Sequence, residues 1–224
     1  MWLYGCTQLT SLTVLPTLDS LRMLGVSGSH LAEGMEGICQ ASPHLQSLVV
    51  NTCEWVDDLR PLVDLHLTGL YIGECRHVED FTPLNSLTEL RILNLSGSLI
   101  EDLAPLRNLS GLTTLWLNDC NALTDLQPLA SLSKLRELHL RRAADGLDLA
   151  PLAGNRKLTV YIDRDQDVQG AETLGRRLHV SWRDPYPASS HSRGPESSAW
   201  AADRPQLLPC RCSRSCGTYA RSHG

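Results

Sequence analysis

The sequence lacks the features that mark several functional classes. No stretch approaches the roughly 20 consecutive apolar residues that a membrane-spanning helix needs, and the opening MWLYGCTQLT has neither the basic region nor the apolar run of a signal peptide. The motifs GxSxG, HExxH and CxxC are absent as well, which removes support for nucleophilic and zinc hydrolases. We therefore expect a cytoplasmic protein that does not associate with membranes, is not an enzyme and has no catalytic residues.

Charge and cysteine content set further bounds. The 224 residues include 20 lysines and arginines against 25 acidic residues, and the basic residues are spread along the chain without forming a stripe. We therefore expect no nucleic acid partner. The 8 cysteines are expected to be free thiols, because disulfides need an oxidising compartment that a secretory signal would indicate.

A repeated strand motif organises most of the chain. Segments such as LTTLWLNDC, LTGLYIGEC, LQSLVVNTC, LRILNLSGS and LRELHLRRA share the pattern L-x-x-L-x-L-x-x-C or a near variant. Its second leucine recurs every 22 to 24 residues, at Leu24, Leu48, Leu70, Leu93, Leu115, Leu138 and, in this interpretation, Tyr161. A fixed period of this length predicts a solenoid whose strands stay in register.

A second unit, D-L-x-P-L, recurs between the strand motifs. Its prolines suit the first turn of a 3₁₀ or short α-helix, where no backbone N–H is needed. Its aspartates could supply paired carboxylates for acid/base chemistry, but one carboxylate in every repeat is better explained as a turn cap that accepts backbone N–H groups. The residues are Asp58, Asp80, Asp102, Asp125 and Asp148, with Pro83, Pro105, Pro128 and Pro151. Residues 25–44 lack the unit, which predicts an irregular turn, and residues 58–70 are one residue short.

The two half-motifs together resemble the short leucine-rich repeats of the internalin-like class, over roughly residues 1–182. The resemblance implies an α/β solenoid, a leucine-rich-repeat horseshoe with a parallel concave sheet and short 3₁₀ or α turns on the convex side. The array, which is rich in arginine and poor in lysine, also resembles the C-terminal sensor region of bacterial NACHT-type signalling ATPases. Those proteins carry a phosphate-binding loop, and GxxxxGK[ST] does not occur here, so such an N-terminal ATPase domain would be missing from this chain.

The repeats suggest the domain boundaries. Residues 115–126 align without a gap with residues 1–12, so the repeat domain, residues 1–184, is expected to start within a repeat and without an N-terminal cap. The early strand RLHVSW and the polar segment before it predict a C-terminal cap over about residues 165–184. Residues 185–224, rich in Pro, Ser, Arg and Gly, are expected to be a disordered tail, or else the product of a frame error.

Cysteines recur at one repeat position, as Cys6, Cys53, Cys75 and Cys120. A stack of thiols could bind metal, but this position favours a small side chain that turns inward and meets backbone groups. The cysteines of the tail lack the spacing of a zinc finger. We therefore expect neither a metal nor a cofactor.

The concave face carries the candidate site. Strand alternation sends the residues between and after the leucines to this face, which is expected to end at Ile162 and Arg164. Exposed Trp, Tyr and Arg are enriched at binding hot spots, although scattered surface aromatics can also be without function. The candidate partner-binding residues fall on four neighbouring strands and are Tyr71, Asn94, Trp116, Asn118, His139 and Arg141.

These features predict a protein-interaction or ligand-sensing module whose concave face binds a protein or other macromolecular partner. On this interpretation Trp116→Ala weakens binding and leaves folding intact. Two alternatives remain open: a fragment of a secreted internalin-like adhesin, which needs a signal peptide upstream, and the substrate-recognition part of a larger enzyme, which needs a catalytic domain elsewhere.

Overall fold

The computed structural model describes residues 1–3, 5–6, 10–12 and 18–181. The predicted tail, residues 185–224, and the last residues of the predicted cap lie outside this part of the chain. Within it, every helix is too short or too polar to cross a lipid bilayer.

One parallel sheet dominates the described residues. Its eight strands follow the order β1-β2-β3-β4-β5-β6-β8-β10, and β7 pairs with β9 in a separate two-stranded ladder. The strands are β1 (Met23–Gly25), β2 (Ser47–Val49), β3 (Gly69–Tyr71), β4 (Ile92–Asn94), β5 (Thr114–Trp116), β6 (Glu137–His139), β7 (Leu147–Asp148), β8 (Thr159–Asp163), β9 (Val168–Gln169) and β10 (Leu178–Ser181). This topology confirms the predicted leucine-rich-repeat solenoid, in which each coil adds one strand to the same sheet.

Short 3₁₀-helices return the chain from one strand to the next. They span Arg60–Asp64, Thr82–Ser86, Ala104–Leu106, Gln127–Ser131, Ala150–Leu152, Ala171–Thr173 and Gly175–Arg177. Four of them have the predicted prolines in the first turn, and Arg60–Asp64 also has a proline there, Pro61, which was not among those predicted. The irregular turn predicted within residues 25–44 contains the helix α1 (Gly34–Ala41).

The repeated aspartates cap these turns, which confirms the structural interpretation of this row. In each case a carboxylate oxygen accepts a hydrogen bond from the backbone N–H two residues later, at 2.7 to 2.9 Å. The donors are the N–H groups of Arg60, Thr82, Ala104, Gln127 and Ala150. Each bond satisfies a donor at a helix start, where no backbone acceptor is available.

Stacked leucines form a continuous core beneath the sheet. Leu48, Leu70, Leu93, Leu115 and Leu138 lie directly alongside one another across β2 to β6, and each is 0% exposed. Burial of each such side chain contributes about 1.5–3 kcal/mol. Because every coil places its leucines at the same height, the core extends without a break from one repeat to the next.

The register corrects the last repeat marker. Leu138 pairs with Val160, and Tyr161 pairs with His139, so the prediction that Tyr161 occupies the leucine position was wrong by one residue. A shift of one residue moves every side chain to the other face of the sheet. Ile162, expected on the concave face, is therefore buried in the core at 4% exposure, and Asp163 replaces Arg164 at the face position of β8.

A missing bulge residue explains this error. In the coils that enter β2 to β6, two successive N–H groups donate to one carbonyl of the preceding coil, as Arg136 and Glu137 both do to Thr113. At β8 only Thr159 donates to the equivalent carbonyl, that of Arg136, because one residue separates Leu158 from Val160 instead of two. The extra residue of a bulge adds length to a strand without a ladder partner of its own, so its loss shortens the motif from L-x-x-L to L-x-V.

The final strand matches the predicted position. RLHVSW was expected to form a strand, and β10 lies within it and pairs in parallel with β8. Arg177 just before it donates to the carbonyl of Asn155 at 2.6 Å. Val180, at a core-facing position of this strand, is 53% exposed, so the described part of the cap does not cover the end of the core. The role of residues 165–184 as a closing cap stays a prediction.

Candidate binding face

The side of the eight-stranded sheet opposite the leucines is here called the open face. Side chains alternate along each strand, so β3 presents Gly69 and Tyr71 to this face and buries Leu70. From β1 to β5 the open face carries no charged residue on the strands. Charge begins at β6 and β8, with Glu137, Arg141 just beyond β6, and Asp163.

Five rings stack along the open face, and together they are called the aromatic row. Their centroids are 6.1 Å apart for Tyr71 and Trp116, 5.5 Å for Trp116 and His139, 4.4 Å for His139 and Tyr161, and 5.3 Å for Tyr161 and His179. His139 and Tyr161 are nearly parallel, at 5° between planes. In-register strands place equivalent side chains about 4.8 Å apart, so the rings on the successive strands β5, β6, β8 and β10 meet, and Tyr71 reaches Trp116 across β4, where Asn94 holds the same position.

The stacking covers ring faces and leaves ring edges toward solvent. Trp116 has Tyr71 on one side and His139 on the other and is only 9% exposed. This differs from the expectation of an exposed tryptophan on the concave face. Because Trp116 is packed between two rings, its truncation is now expected to cost folding stability, contrary to the expectation that folding stays intact.

The row contains two residues that the sequence analysis missed. Tyr161 was assigned to the core because the missing bulge residue at β8 shifted the motif. His179 lies on β10, which was treated only as part of the cap. The signal that could have found Tyr161 is the L-x-V-x-I spacing from Leu158 to Ile162, which places alternate residues in the core.

The asparagines on this face support the backbone. The side-chain oxygen of Asn118 accepts the N–H of Arg141 on the next coil at 2.9 Å, and that of Asn94 accepts the N–H of Ser96 at 2.9 Å. Asn51, which was not among the candidates, accepts the N–H of Gly73 at 2.8 Å in the same way. Asn94 and Asn118 therefore have a structural role whether or not they contact a partner.

His139 is held in its neutral form. Burial, and then the positive charge of Arg141, lower the pKa of His139 from 6.5 to about 4. Its side chain is 16% exposed, and Nε2 lies 3.9 Å from the Glu137 carboxylate without a hydrogen bond in the described part of the chain. At neutral pH the imidazole therefore contributes a ring and a polar edge to the row, and no charge.

The repeated cysteines behave as small inward-facing side chains. The Cys75 thiol donates to the carbonyl of Val50 at 3.1 Å and the Cys120 thiol to that of Leu95 at 3.3 Å, each on a preceding coil. Burial raises the pKa of Cys53 and Cys120, and it raises the pKa of Cys75 to about 12, so all three are protonated thiols at neutral pH. Among the described residues no three His, Cys, Asp or Glu side chains are grouped to hold a metal ion.

Comparison with known proteins shows which family has this architecture. No protein-family model and no curated protein sequence matches the chain. Among solved structures it is similar to internalin C2 from Listeria monocytogenes, with 32% identity, a TM-score of 0.59, and coverage of 68% of this chain and 66% of the other. The chain is a leucine-rich-repeat protein.

Two further structures share the fold. The leucine-rich-repeat protein is 24% identical to a second Listeria internalin, inlF, with a TM-score of 0.57, over 77% of this chain and 57% of that one. It is 25% identical to human 5T4, also named Wnt-activated inhibitory factor 1 or trophoblast glycoprotein, with a TM-score of 0.51, over 72% and 68% of the two chains. The leucine-rich-repeat protein thus spans 66% and 57% of the length of the two internalins.

Proposed function

We propose that the open face binds a protein partner, with the aromatic row as the main contact. The observation that carries this proposal is the position of the row. Four of its rings lie on the successive strands β5, β6, β8 and β10, and Tyr71 on β3 joins them across β4, all on the side of the sheet that does not enclose the core. Tyrosine and tryptophan dominate the binding energy at many protein interfaces, and they act best when neighbouring groups exclude water from them.

The fold does not need aromatic side chains at these positions. The residues that correspond to Trp116 are Gly25 on β1, Val49 on β2 and Asn94 on β4, and these strands pair in the same register as the others. Small, aliphatic and polar side chains therefore satisfy the sheet equally well. The sheet forms on other strands without aromatic side chains at this position, which is the reason for assigning the row to a partner.

A displayed library of random peptides tests the proposal. Peptides selected on the wild-type protein should lose affinity by about tenfold or more, in calorimetric titration, when Tyr71→Ala or His179→Ala removes a ring at either end of the row. These end rings each touch one other ring of the row, so their loss should disturb the fold least. The matched control is Arg107→Ala, at an exposed residue beside a turn.

The measured affinities show whether the peptides bind to the aromatic row or to another part of the surface. Selected peptides whose affinity falls with either ring variant and stays unchanged with Arg107→Ala support the proposal. Peptides that bind both ring variants as tightly as the wild type would remove the row from the function.

For the cellular setting we propose a cytoplasmic protein that acts beside a NACHT-type ATPase. Cys53, Cys75 and Cys120 are buried thiols that form no disulfide, which suits a reducing compartment. The alternative is a secreted adhesin-like protein, and the similarity to internalin C2 favours it. Genomic sequence upstream distinguishes them: an ATPase module supports the first, and a signal peptide supports the second.

A further inference from the structure

The stacking geometry restricts what the open face can recognise, provided that it binds a partner as proposed above. Sugars and cationic groups use the faces of aromatic rings. In the aromatic row, Trp116, His139 and Tyr161 each have a ring on both sides. These three rings therefore present edges, and the specificity must come from polar groups beside them.

Two oppositely charged side chains lie beside the row without partners. Asp163 is 3% exposed, and its Oδ2 has no hydrogen bond among the described residues. Arg141 is half-buried, and its Nε has none either. Neither residue takes part in the ion pairs of the described residues. Buried polar groups without partners are costly, so two of them at one place point to a ligand.

The sheet register places these two residues on neighbouring strands. His139 pairs with Tyr161, and the Leu140 N–H donates to the Tyr161 carbonyl, so Arg141 and Asp163 each follow by two residues a pair of facing positions on neighbouring strands. The polar Nε2 of His139, also without a hydrogen-bond partner in the described residues, is on the same strand. A donor and an acceptor thus lie at one spot, just beyond His139 and Tyr161 of the row.

The charges at this spot cancel. The Arg141 guanidinium and the Asp163 carboxylate together give no net charge. His139 is neutral, and the Glu137 carboxylate near its Nε2 lies at the opposite end of β6 from Arg141. A ligand ion of either sign would meet one opposite and one like charge. A neutral group with a carbonyl acceptor and an N–H donor would satisfy both, because the carbonyl accepts from Arg141 and the N–H donates to Asp163.

We propose that Arg141 and Asp163 form a binding site for the amide group of a polypeptide partner, either a main-chain peptide or the side chain of asparagine or glutamine, beside the edges of His139 and Tyr161. Asp163 is 3% exposed, so binding of the amide requires the side chains that cover this carboxylate to move aside. A preference for amides identifies the partner as a polypeptide segment and deepens the function proposed for this face.

Three small probes of equal shape test the site: acetamide, acetate and acetamidinium. They differ in charge, so a nuclear magnetic resonance titration of the full chain, followed at the Arg141 Nε–H signal, measures the charge preference directly. The expected result is a saturable shift with acetamide at an affinity about tenfold higher than that of either ion. Equal or stronger binding of acetate to the wild-type protein would overturn the proposal.

Two variants reverse the preference. Asp163→Asn keeps the shape and leaves Arg141 without a neighbouring carboxylate, so acetate should become the best of the three probes, with a gain of about tenfold. Arg141→Gln leaves Asp163 alone, so acetamidinium should become the best probe, now followed at the His139 ring signals. Unchanged probe order in both folded variants contradicts the site.

The matched control is Asp125→Asn, at a turn where an asparagine oxygen can replace the carboxylate oxygen that accepts the Gln127 N–H. It makes the same change of charge away from the site and should leave the probe order unchanged. If the probes show no amide preference while selected peptides still depend on Tyr71 and His179, only this inference fails. If the selected peptides do not depend on the row, the proposed function itself fails.

Discussion

Two stacks of side chains run across the same sheet, one on each side, and they differ in how strictly they repeat. In the core, β2 to β6 present leucine at the same position, from Leu48 to Leu138, all without solvent exposure. On the open face, the residues that follow these leucines are Val49, Tyr71, Asn94, Trp116 and His139. The fold constrains the core position in every coil and leaves the other free to vary, which makes the open face available for recognition.

The largest expected effect on stability comes from truncating one residue of each stack on β5 and comparing the two variants. Leu115→Ala should lower the free energy of unfolding by about 3 kcal/mol, because it leaves a cavity between coils. Trp116→Ala should lower it by about 2 kcal/mol, because ring contacts are lost where solvent can enter. Denaturant titration of both variants measures the difference. A tryptophan variant as stable as the wild type would mean that the row contributes nothing to folding.

Lowering the pH should reduce the contribution of the aromatic row to stability and leave that of the stacked leucines unchanged. The pKa of His139 is about 4 in the folded protein against 6.5 as its ordinary value. The unfolded chain therefore binds more protons between these values, so the contribution of His139 to stability is fully present above pH 6.5 and is lost as the pH falls toward 4. The loss should be on the order of 2–3 kcal/mol.

Denaturant titrations across this pH range, with His139→Gln, check the assignment. The variant should lose this part of the pH dependence, and His44→Gln, at an exposed position, should keep it. If His139→Gln retains the full acid sensitivity, other groups are responsible.

The smallest expected effect concerns the turn that follows each strand. Thr52 has a φ of 56°, which is costly for a β-branched residue, whereas Gly28 has a φ of 68° at the same position of the preceding coil. Thr52→Gly should raise the free energy of unfolding by about 1 kcal/mol. Thr114→Gly, within β5, should lower it. A loss of stability in Thr52→Gly would show that the Thr52 hydroxyl, bonded to the Asn51 carbonyl at 2.6 Å, outweighs the strain.

Much of this fold could be predicted from the sequence, because its signals are local and repeated. The leucine period predicts the parallel sheet, and the D-L-x-P-L unit predicts both the proline-led turns and the aspartate caps. The core register was predictable up to Leu138, where two residues always separate the two leucines of the motif. At Leu158 the spacing changes by one, and a hydrogen-bond pattern that no propensity scale records decides the face on which Tyr161 lies.

The candidate site was predictable only as a set of positions. Tyr71, Trp116 and His139 were expected on one face, and they do come together there. Their mutual contact, which buries Trp116, depends on side-chain angles that sequence spacing does not determine. The structural hydrogen bonds of Asn94 and Asn118 depend in the same way on which backbone N–H lies within reach.

The bulge before β2 to β6 has a consequence for how such a chain can change length. A codon inserted or deleted inside a strand would turn every following side chain of that strand inside out. Before β8, by contrast, where the bulge residue is missing, the chain between Leu158 and Val160 is one residue shorter, and Val160 and Ile162 still face inward. The bulge is therefore the position at which the chain can gain or lose a single residue while the same side chains continue to fill the core.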